Sequence, residues 1–259
     1  MRCDACRNGV TPPFDFTMAF QPIIDAAERR VWGYEALVRG PGGEGAYTIL
    51  DQVTDENRYA FDQCCRVAAI ELAAKLFPPL DKPVLSINFM PNAVYEPAAC
   101  IKVTLNAAIR NSFPTDRIML EFTESERIDD TAHTRKIVEH YKKRGLITAI
   151  DDFGAGYAGL GLLADFQTDL IKIDMHLVRG IDGDRGRRAI VSAIIMAARQ
   201  LGVKVLAEGI ETAAEAQALQ ELGVDLLQGY AFARPALEAL PEVDWSVLDR
   251  SADGLQARA

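Results

Sequence analysis

The chain has 259 residues, of which 49% are hydrophobic and 25% are charged, a composition typical of globular proteins. No apolar stretch approaches the roughly 18 residues that a membrane-spanning helix requires. The net charge of −9 argues against broad electrostatic binding to nucleic acid or to an anionic membrane. We therefore expect neither a DNA or RNA polymer nor a membrane as a partner.

The cysteines and the N-terminal residues indicate the cellular compartment of the protein. The chain contains five cysteines, and its start, MRCDACRNGV, lacks the apolar core of a secretory signal. Both features predict reduced thiols in a cytoplasmic protein. Cys3 and Cys6 form a CxxC pair, and Cys64 and Cys65 are adjacent. A zinc or redox site built from these pairs is an alternative, but a single CxxC without a neighbouring histidine is a weak signal.

Apolar runs and helical patterns alternate along the chain. The segments Thr17–Ile24 and Val31–Arg39 are predicted strands, and the connection between them is short enough for an antiparallel hairpin. The first long helix is predicted over Asn57–Phe77, where Pro78 and Pro79 end it. The remaining predicted elements are strand 84–89, helix 97–111, strand 117–122, helix 131–144, strand 146–151, helix 158–164, strand 169–173, helix 185–201, strand 203–207, helix 213–222, strand 224–228 and a final helix after Pro235.

This alternation predicts the fold. Eight strands, seven of them parallel, with helices between them indicate an α/β protein with a TIM-like (β/α)8 barrel and an antiparallel first strand. A chain of this length forms one such domain. We predict a short N-terminal extension over residues 1–15, the barrel over 16–248 and a C-terminal tail over 249–259.

Seven of the predicted strands end on a residue whose side chain carries a carboxylate, an amide or an ammonium group. A parallel barrel brings the last residues of its strands to one face, where such barrels carry their active sites. Carboxylate and amide oxygens, with two adjacent aspartates among them, favour a pair of hard divalent cations, Mg²⁺ or Mn²⁺. The residues are Glu35, Asn88, Glu121, Asp151 with Asp152, Lys172, Glu208 and Gln228, whereas His133, His140 and His176 fall outside the strand ends and are not predicted ligands.

The segment after the strand that ends at residue 151 also fits a different site. Gly154, Gly156 and Gly159 form a GxGxxG pattern, and Asp174 lies twenty residues beyond the first glycine, as in dinucleotide-binding proteins. However, the two adjacent aspartates would repel a pyrophosphate in the absence of a metal ion. We therefore favour a cation site over a nicotinamide or flavin site.

Several short motifs resemble those of one known family. The chain is similar to the EAL domain family of bacterial signalling phosphodiesterases from about Phe16 to Trp245, and the Phe-Met-Pro that follows Asn88 resembles the EAL domains often attached to blue-light flavin sensors. The motifs are EAL at 35–37, SINF at 86–89, EFTES at 121–125, DDFGAGY at 151–157, IKID at 171–174, AEGIET at 207–212 and QGYAFARP at 228–235. The resemblance implies a barrel with an antiparallel first strand and metal-dependent hydrolysis of cyclic di-GMP to linear 5′-pGpG.

The resemblance also implies residue roles. One metal ion would be held by Glu35, Asn88, Glu121 and a bridging Asp151, and the second by Asp151, Asp152 and Glu208. Lys172 would orient the attacking water or offset charge, and Glu208 would act as a ligand or as a base. We expect Ca²⁺ to inhibit, because its longer and looser coordination would not hold water and phosphate in line. The implied substrate-binding residues are Gln21, Leu37, Arg39, Asp174, Glu211, Gln228 and Pro235.

Three expectations leave alternatives open. Glu211 is either near the substrate or simply precedes a helix whose capping box is formed by Thr212 and Glu215. Glu124 would anchor the DDFGAGY loop and act in catalysis through it, or else lie solvated at a helix start. A homodimer is expected through the loop after Asp152, where the apolar residues are Tyr157, Leu160, Leu162 and Leu163. These apolar side chains would otherwise pack on the barrel.

A second function also fits the resemblance. Some EAL relatives are catalytically silent and act as cyclic di-GMP receptors or as protein-interaction regulators. Lost metal ligands are the usual mark of that class, and all the implied ligands are present in this sequence. We therefore predict an active enzyme.

Overall fold

The computed structural model of the protein describes residues 12–80, 82–94, 96–123, 131–156 and 159–249. The strands are β1 (Thr17–Asp25), β2 (Arg30–Arg39), β3 (Val84–Asn88), β4 (Ile118–Thr123), β5 (Ile147–Phe153), β6 (Leu170–Ile173), β7 (Lys204–Ala207), β8 (Leu226–Leu227) and β9 (Ala236–Leu237). The helices are α1 (Ala46–Leu50), α2 (Arg58–Leu76), α3 (Pro97–Cys100), α4 (Lys102–Arg110), α5 (Thr131–Lys143), α6 (Gly159–Asp165), α7 (Met175–Val178), α8 (Arg185–Leu201) and α9 (Ala213–Leu222).

The first eight strands close into a barrel. Strands β2 to β8 are parallel neighbours in chain order, and β1 lies antiparallel between β2 and β8. The reversal follows from the turn over residues 26–29, because so short a connection can join only antiparallel strands. The predicted barrel with an antiparallel first strand is therefore confirmed.

Two apolar layers hold the barrel together. The inner layer consists of one buried residue from most strands, and it lies apart from the larger core between strands and helices. The helices cover the outside of the strands with their apolar faces, as Ala69 and Ile70 of α2 and Ile137 of α5 do. The inner layer is formed by Ile23, Val84, Met119, Ala149, Leu170, Leu206 and Leu226.

Most predicted elements match, but the last part of the chain does not. The predicted helix after Pro235 is wrong: this segment forms the short strand β9 and, later, a 3₁₀ turn at Trp245–Leu248. The reason lies in β8, which has only two residues and pairs with β1 at Ile24 alone. The rest of that edge of β1 is left open, and β9 covers it by pairing Leu237 with Ala19.

Two smaller differences concern helices. The predicted helix over 97–111 is divided into α3 and α4 at Ile101, and α1 and α7 were not predicted, because four or five residues show no helical periodicity.

Among the described residues, no helix is long and apolar enough to cross a membrane. Cys64, Cys65 and Cys100 are free thiols, and Cys3 and Cys6 lie outside the described residues.

Candidate active site

A layer of polar side chains lies directly above the inner apolar layer. In several strands the inner apolar residue is followed two positions later by a polar one, as Met119 is followed by Glu121 and Leu170 by Lys172. Residues two apart in a strand point to the same face, so the polar residues also point into the barrel. Parallel register then aligns Asn88 directly beside Glu121. The strand ends therefore form one polar cluster at the carboxyl face of the barrel.

Lys172 lies at the centre of this cluster. Its side chain is only 1% exposed, and its Nζ lies 2.6 Å from Glu208 Oε1 and 3.1 Å from Asp151 Oδ1. Glu121 Oε2 is 3.2 Å away and Glu35 Oε1 3.6 Å. Burial lowers the pKa of Lys172, but the carboxylates, with Asp151 the strongest, outweigh burial and hold this pKa well above its usual value. Lys172 is thus a permanent cation surrounded by four acids.

Two of the acids are strongly affected by their surroundings. Burial raises the pKa of Glu121 well above its usual value, although Lys172 opposes the shift. Ser86 Oγ donates a 2.6 Å hydrogen bond to Glu121 Oε2, and Asn88 Nδ2 donates one of 3.2 Å to Oε1. Burial, followed by the charge of Asp151, likewise raises the pKa of Glu208. Because like charges crowd this space, the cluster favours the uptake of positive charge or of protons.

A β-bulge places two consecutive aspartates at the site. Ile150 pairs with Ile171 and Phe153 with Ile173, so Asp151 and Asp152 together face the single residue Lys172. The extra residue adopts a left-handed conformation, with φ of 53° at Asp152, which is uncommon for an aspartate. Its N–H donates a 2.8 Å hydrogen bond to Asp151 Oδ1. Burial, then Asp151 and Asp174, raise the pKa of Asp152 to about 6.

Side-chain amides form the other wall of the site. Gln228 Nε2 donates to Glu35 Oε2 at 2.7 Å and to Gln21 Oε1 at 3.3 Å, and Gln21 Nε2 donates to the carbonyl of Ala233 at 3.2 Å. Asn88 Nδ2 also lies 3.3 Å from Glu35 Oε1. Within the described part of the chain, the buried Gln228 Oε1 has no hydrogen-bond partner.

The cluster opens into a cavity of about 280 Å³. The predicted residues Asp174 and Glu211 line it, and so does Arg179, which the sequence did not single out. Arg179 Nη2 lies 2.8 Å from Glu211 Oε1 and holds this carboxylate at the rim. Glu211 also precedes α9, whose capping box between Thr212 and Glu215 is present. Glu211 thus lies both at the cavity and directly before the capping box, and its role in substrate binding stays a prediction.

Three predicted substrate-binding residues lie outside the lining of this cavity. Leu37 lines a neighbouring apolar cavity of about 350 Å³ that Asn88 also borders. The Arg39 guanidinium donates a 2.7 Å hydrogen bond to the carbonyl of Val38, and Pro235 is partly buried near β9. Glu124 lies outside the described residues, so its predicted role stays a prediction.

The loop after Asp152 only partly matches the predicted dimer surface. Leu162 and Leu163 are buried against the protein, whereas Leu160 is 62% exposed, and Tyr157 lies outside the described residues. Packing on the barrel therefore accounts for two of the predicted apolar residues.

Gly154 in the same loop has a structural explanation. Its φ is +95°, and a Cβ at this position would lie 2.6 Å from Leu177 Cδ1. The positive φ of this turn favours glycine, and a Cβ would also displace the Leu177 side chain, which explains part of the GxGxxG pattern without a dinucleotide.

The acids form two triads suited to cations. Glu35, Glu121 and Asp151 can each offer an oxygen within 4.8 Å of the others, and so can Asp151, Asp152 and Glu208. Asp151 belongs to both triads, so one carboxylate can bridge two neighbouring ions. The donor set consists of carboxylate oxygens, which suits Mg²⁺ or Mn²⁺. The three histidines do not line the cavity; His133 Nε2 instead contacts the carbonyl of Val94 at 2.5 Å.

Such a site, at the carboxyl face of a barrel with a reversed first strand, defines a class of metal-dependent barrel proteins. A family model described as "EAL domain" matches residues 5–235. The chain belongs to the EAL domain family.

Solved structures of other EAL proteins are similar to this chain. A standalone versatile EAL protein from Vibrio cholerae O395, in its c-di-GMP-bound form, is 52% identical, with a TM-score of 0.87 over 91% of this chain and 98% of the other. The manganese and cyclic di-GMP complex of Klebsiella pneumoniae BlrP1 at pH 9.0 is 37% identical, with a TM-score of 0.83 over 90% of this chain and 59% of the other.

The relatives of this chain include an antirepressor and a phosphodiesterase. The blue light- and temperature-regulated antirepressor BluF of Escherichia coli K12 is 32% identical, over 93% of this chain and 59% of its own length. The cyclic di-GMP phosphodiesterase PA2567 of Pseudomonas aeruginosa is 31% identical, over 89% of this chain and 40% of its own length. The chain thus spans less than two thirds of the length of these relatives.

Proposed function

We propose that this protein hydrolyses cyclic di-GMP to linear 5′-pGpG with two Mg²⁺ or Mn²⁺ ions. The observation that carries the proposal is the pair of carboxylate triads sharing Asp151 around the buried Lys172. The similar proteins add support, because one solved structure holds c-di-GMP, another holds manganese with cyclic di-GMP, and PA2567 is named as a cyclic di-GMP phosphodiesterase.

The two carboxylate triads support the proposed ligands, and the resemblance of the SINF motif to that of the family supports adding Asn88. We assign Glu35, Asn88, Glu121 and Asp151 to one ion, and Asp151, Asp152 and Glu208 to the other. When bound, two such cations lower the pKa of a water molecule and offset the charge of the phosphate and of the leaving 3′ oxygen. The overall reaction adds one water across one P–O3′ bond, so the ring opens and no covalent enzyme intermediate is required.

The protein's own groups handle the proton and the charge. Lys172 keeps its positive charge at any pH of interest, so it can orient an attacking water and stabilise negative charge that develops on the phosphate. Glu208 has a raised pKa, and a carboxylate with a raised pKa is a better proton acceptor near neutral pH. Glu208 Oε1 lies 2.6 Å from Lys172 Nζ in the structure. Whether Glu208 acts as a metal ligand or as a base depends on whether this contact is kept.

Substrate recognition is assigned to the amides and to the rim. Gln228 and Gln21 line the cavity and are joined by a hydrogen bond, so we propose that this amide pair contacts the guanine or the ribose. Asp174 and Glu211 line the same cavity and can accept further hydrogen bonds. We also propose that Arg39, Leu37 and Pro235 contact the phosphate and the remaining nucleotide. The support for these three is the resemblance of their motifs to those of the family.

A regulatory role is the second candidate. It is favoured by BluF, whose name describes an antirepressor and which is 32% identical. A receptor would bind cyclic di-GMP through the same cavity without turnover.

The decisive experiment is a hydrolysis assay under four conditions. Purified protein is incubated with cyclic di-GMP and Mg²⁺, Mn²⁺, Ca²⁺ or excess chelator, and the products are separated by liquid chromatography with mass detection. We expect pGpG with Mg²⁺ and Mn²⁺ and at least tenfold less with Ca²⁺ or chelator, because Ca²⁺ imposes longer bonds and looser geometry. Binding without hydrolysis under all four conditions would favour the receptor, and full turnover in chelator would exclude the two-metal assignment.

We also propose a homodimer through the segment after Asp152. Leu160 supports it, since this side chain is 62% exposed on α6. We expect sedimentation velocity to show a concentration-dependent dimer that Leu160→Glu weakens, because dimer formation would bury this charge. Leu201→Glu, which alters a similarly exposed leucine on α8, should leave the dimer unchanged. A monomer at every concentration would reject the proposal.

A further inference from the structure

A buried ion pair lies on α2, outside the carboxylate cluster. Arg66 is 0% exposed and Asp62 3% exposed, and Arg66 Nη2 lies 2.5 Å from Asp62 Oδ2. Arg66 Nη1 donates a 3.1 Å hydrogen bond to Thr104 Oγ1 on α4. The pair therefore joins two helices on the outside of the barrel, and the chemistry described above does not use it.

The second oxygen of the aspartate reaches the end of β3. Asp62 Oδ1 accepts a 3.0 Å hydrogen bond from the backbone N–H of Met90, two residues after Asn88. The preceding N–H, of Phe89, donates to the carbonyl of Glu121 at 2.9 Å. Pro91 follows and has no N–H to donate. The chain that leaves β3 is thus held by the neighbouring strand on one side and by Asp62 on the other.

An apolar cavity lies beside this segment. Phe89, Met90 and Asn88 border the apolar cavity of about 350 Å³, which Asp62 also lines. Phe89 packs against the rings of Phe122 and Tyr141, but Met90 is only partly buried beside this space. The hydrogen bond from its N–H to Asp62 is therefore the directed contact that holds Met90. A buried ion pair is also a weak source of net stability, because removing two charges from water costs about as much as their attraction returns.

We propose that the Arg66–Asp62 pair is a positioning device for Asn88. Arg66 orients the carboxylate, Asp62 fixes the Met90 N–H, and the fixed exit from β3 presents the Asn88 amide to Glu35 and Glu121. The inference rests on the proposed function in that Asn88 is assigned there as a metal ligand. It adds two positioning residues that lie on α2.

The test uses two double variants that differ only in whether residue 62 offers a hydrogen-bond acceptor to the Met90 N–H. Asp62→Leu with Arg66→Met removes both charges together and leaves the Met90 N–H without a side-chain acceptor. Asp62→Asn with Arg66→Met also removes both charges but keeps an amide oxygen near Met90. Circular dichroism and thermal unfolding first establish that both variants are folded, and the asparagine variant keeps the comparison informative if the leucine variant is not.

Three readouts separate positioning from stability. Mn²⁺ binding followed by electron paramagnetic resonance should weaken about tenfold in the leucine variant, as is usual when a residue that orients a metal ligand is lost. Amide hydrogen exchange at Met90 should become faster in the same variant, and kcat should fall more than KM rises. The asparagine variant should stay within about threefold of the parent in Mn²⁺ affinity, because its acceptor remains.

The outcomes distinguish the two proposals. Equal Mn²⁺ affinity and equal Met90 exchange in the parent and in both variants would overturn the positioning role. A parent that binds Mn²⁺ but leaves cyclic di-GMP intact would reject the proposed function alone, since the Mn²⁺ and exchange results would still decide the positioning role. A parent that binds no Mn²⁺ would overturn both, because Asn88 would then orient no metal.

Discussion

Replacing Lys172 with methionine should destabilise the metal-free protein by about 3–5 kcal/mol, the usual cost of leaving buried charge uncompensated. The ammonium is 1% exposed and lies within 3.6 Å of oxygens from Glu35, Glu121, Asp151 and Glu208. Without it, these largely buried acids repel each other. Urea unfolding in the presence of chelator measures the change, and turnover should fall by orders of magnitude in the same variant.

The loss of stability in Lys172→Met should depend on pH. Lys172 lowers the pKa values of Glu121 and Glu208, which burial raises, so in the metal-free variant these two folded-state pKa values should rise further above their unfolded values than in the parent. The folded state then binds more protons than the unfolded state, so stability increases as pH falls. The difference between Lys172→Met and the parent should therefore be largest at pH 8 and smaller near pH 5.

Metal ions and a control variant complete the design. Mn²⁺ should restore much of the lost stability, because divalent cations supply positive charge to the same acids. Lys204→Met, which changes an exposed lysine at the start of β7, should alter stability by less than about 0.5 kcal/mol. A metal-free Lys172→Met protein as stable as the parent would show that the acids are not held by this lysine.

The barrel and most of the site could be predicted because they depend on short-range patterns. A polar residue two positions after a buried one identifies a strand that ends inside the barrel, and Glu121 and Lys172 both follow this rule. Since parallel strands deliver such residues to one face, the cluster follows once the fold is known. The family resemblance then added the roles, which spacing alone leaves open.

Other features could not be predicted, since they depend on contacts between distant parts of the chain. Asp62 and Arg66 are four residues apart, and in the sequence this spacing is typical of an exposed helical ion pair. Only the packing of α2 against the barrel shows that the pair is buried. Arg179 gave no signal either, because its partner Glu211 lies beyond the whole of α8. The strand β9 arises because β8 is too short to cover β1, a fact about pairing rather than composition.

The largest effect on turnover is expected for Asp151→Asn, which should lower kcat by at least about a thousandfold. Asp151 is the carboxylate shared by both triads, so the change weakens both proposed ion sites at once. An amide carries no negative charge and cannot bridge two cations as a carboxylate does. The bound Mn²⁺ measured by titration should fall from two ions to one or none. The metal-free melting temperature should not decrease, because one charge is removed from a repulsive group.

Asp169→Asn provides the matched control on the same barrel. Asp169 immediately precedes β6, at the end of the barrel opposite the cluster, where Oδ2 accepts 2.9 Å hydrogen bonds from the N–H and from the Oγ1 of Thr148. Residues at that end of a barrel serve stability rather than chemistry. We therefore expect a lower melting temperature and a kcat within about twofold of the parent, the opposite of the result for Asp151→Asn. If both substitutions affect turnover equally, or if Asp151→Asn retains two bound Mn²⁺ ions and normal kcat, the shared-carboxylate site is not the catalytic centre.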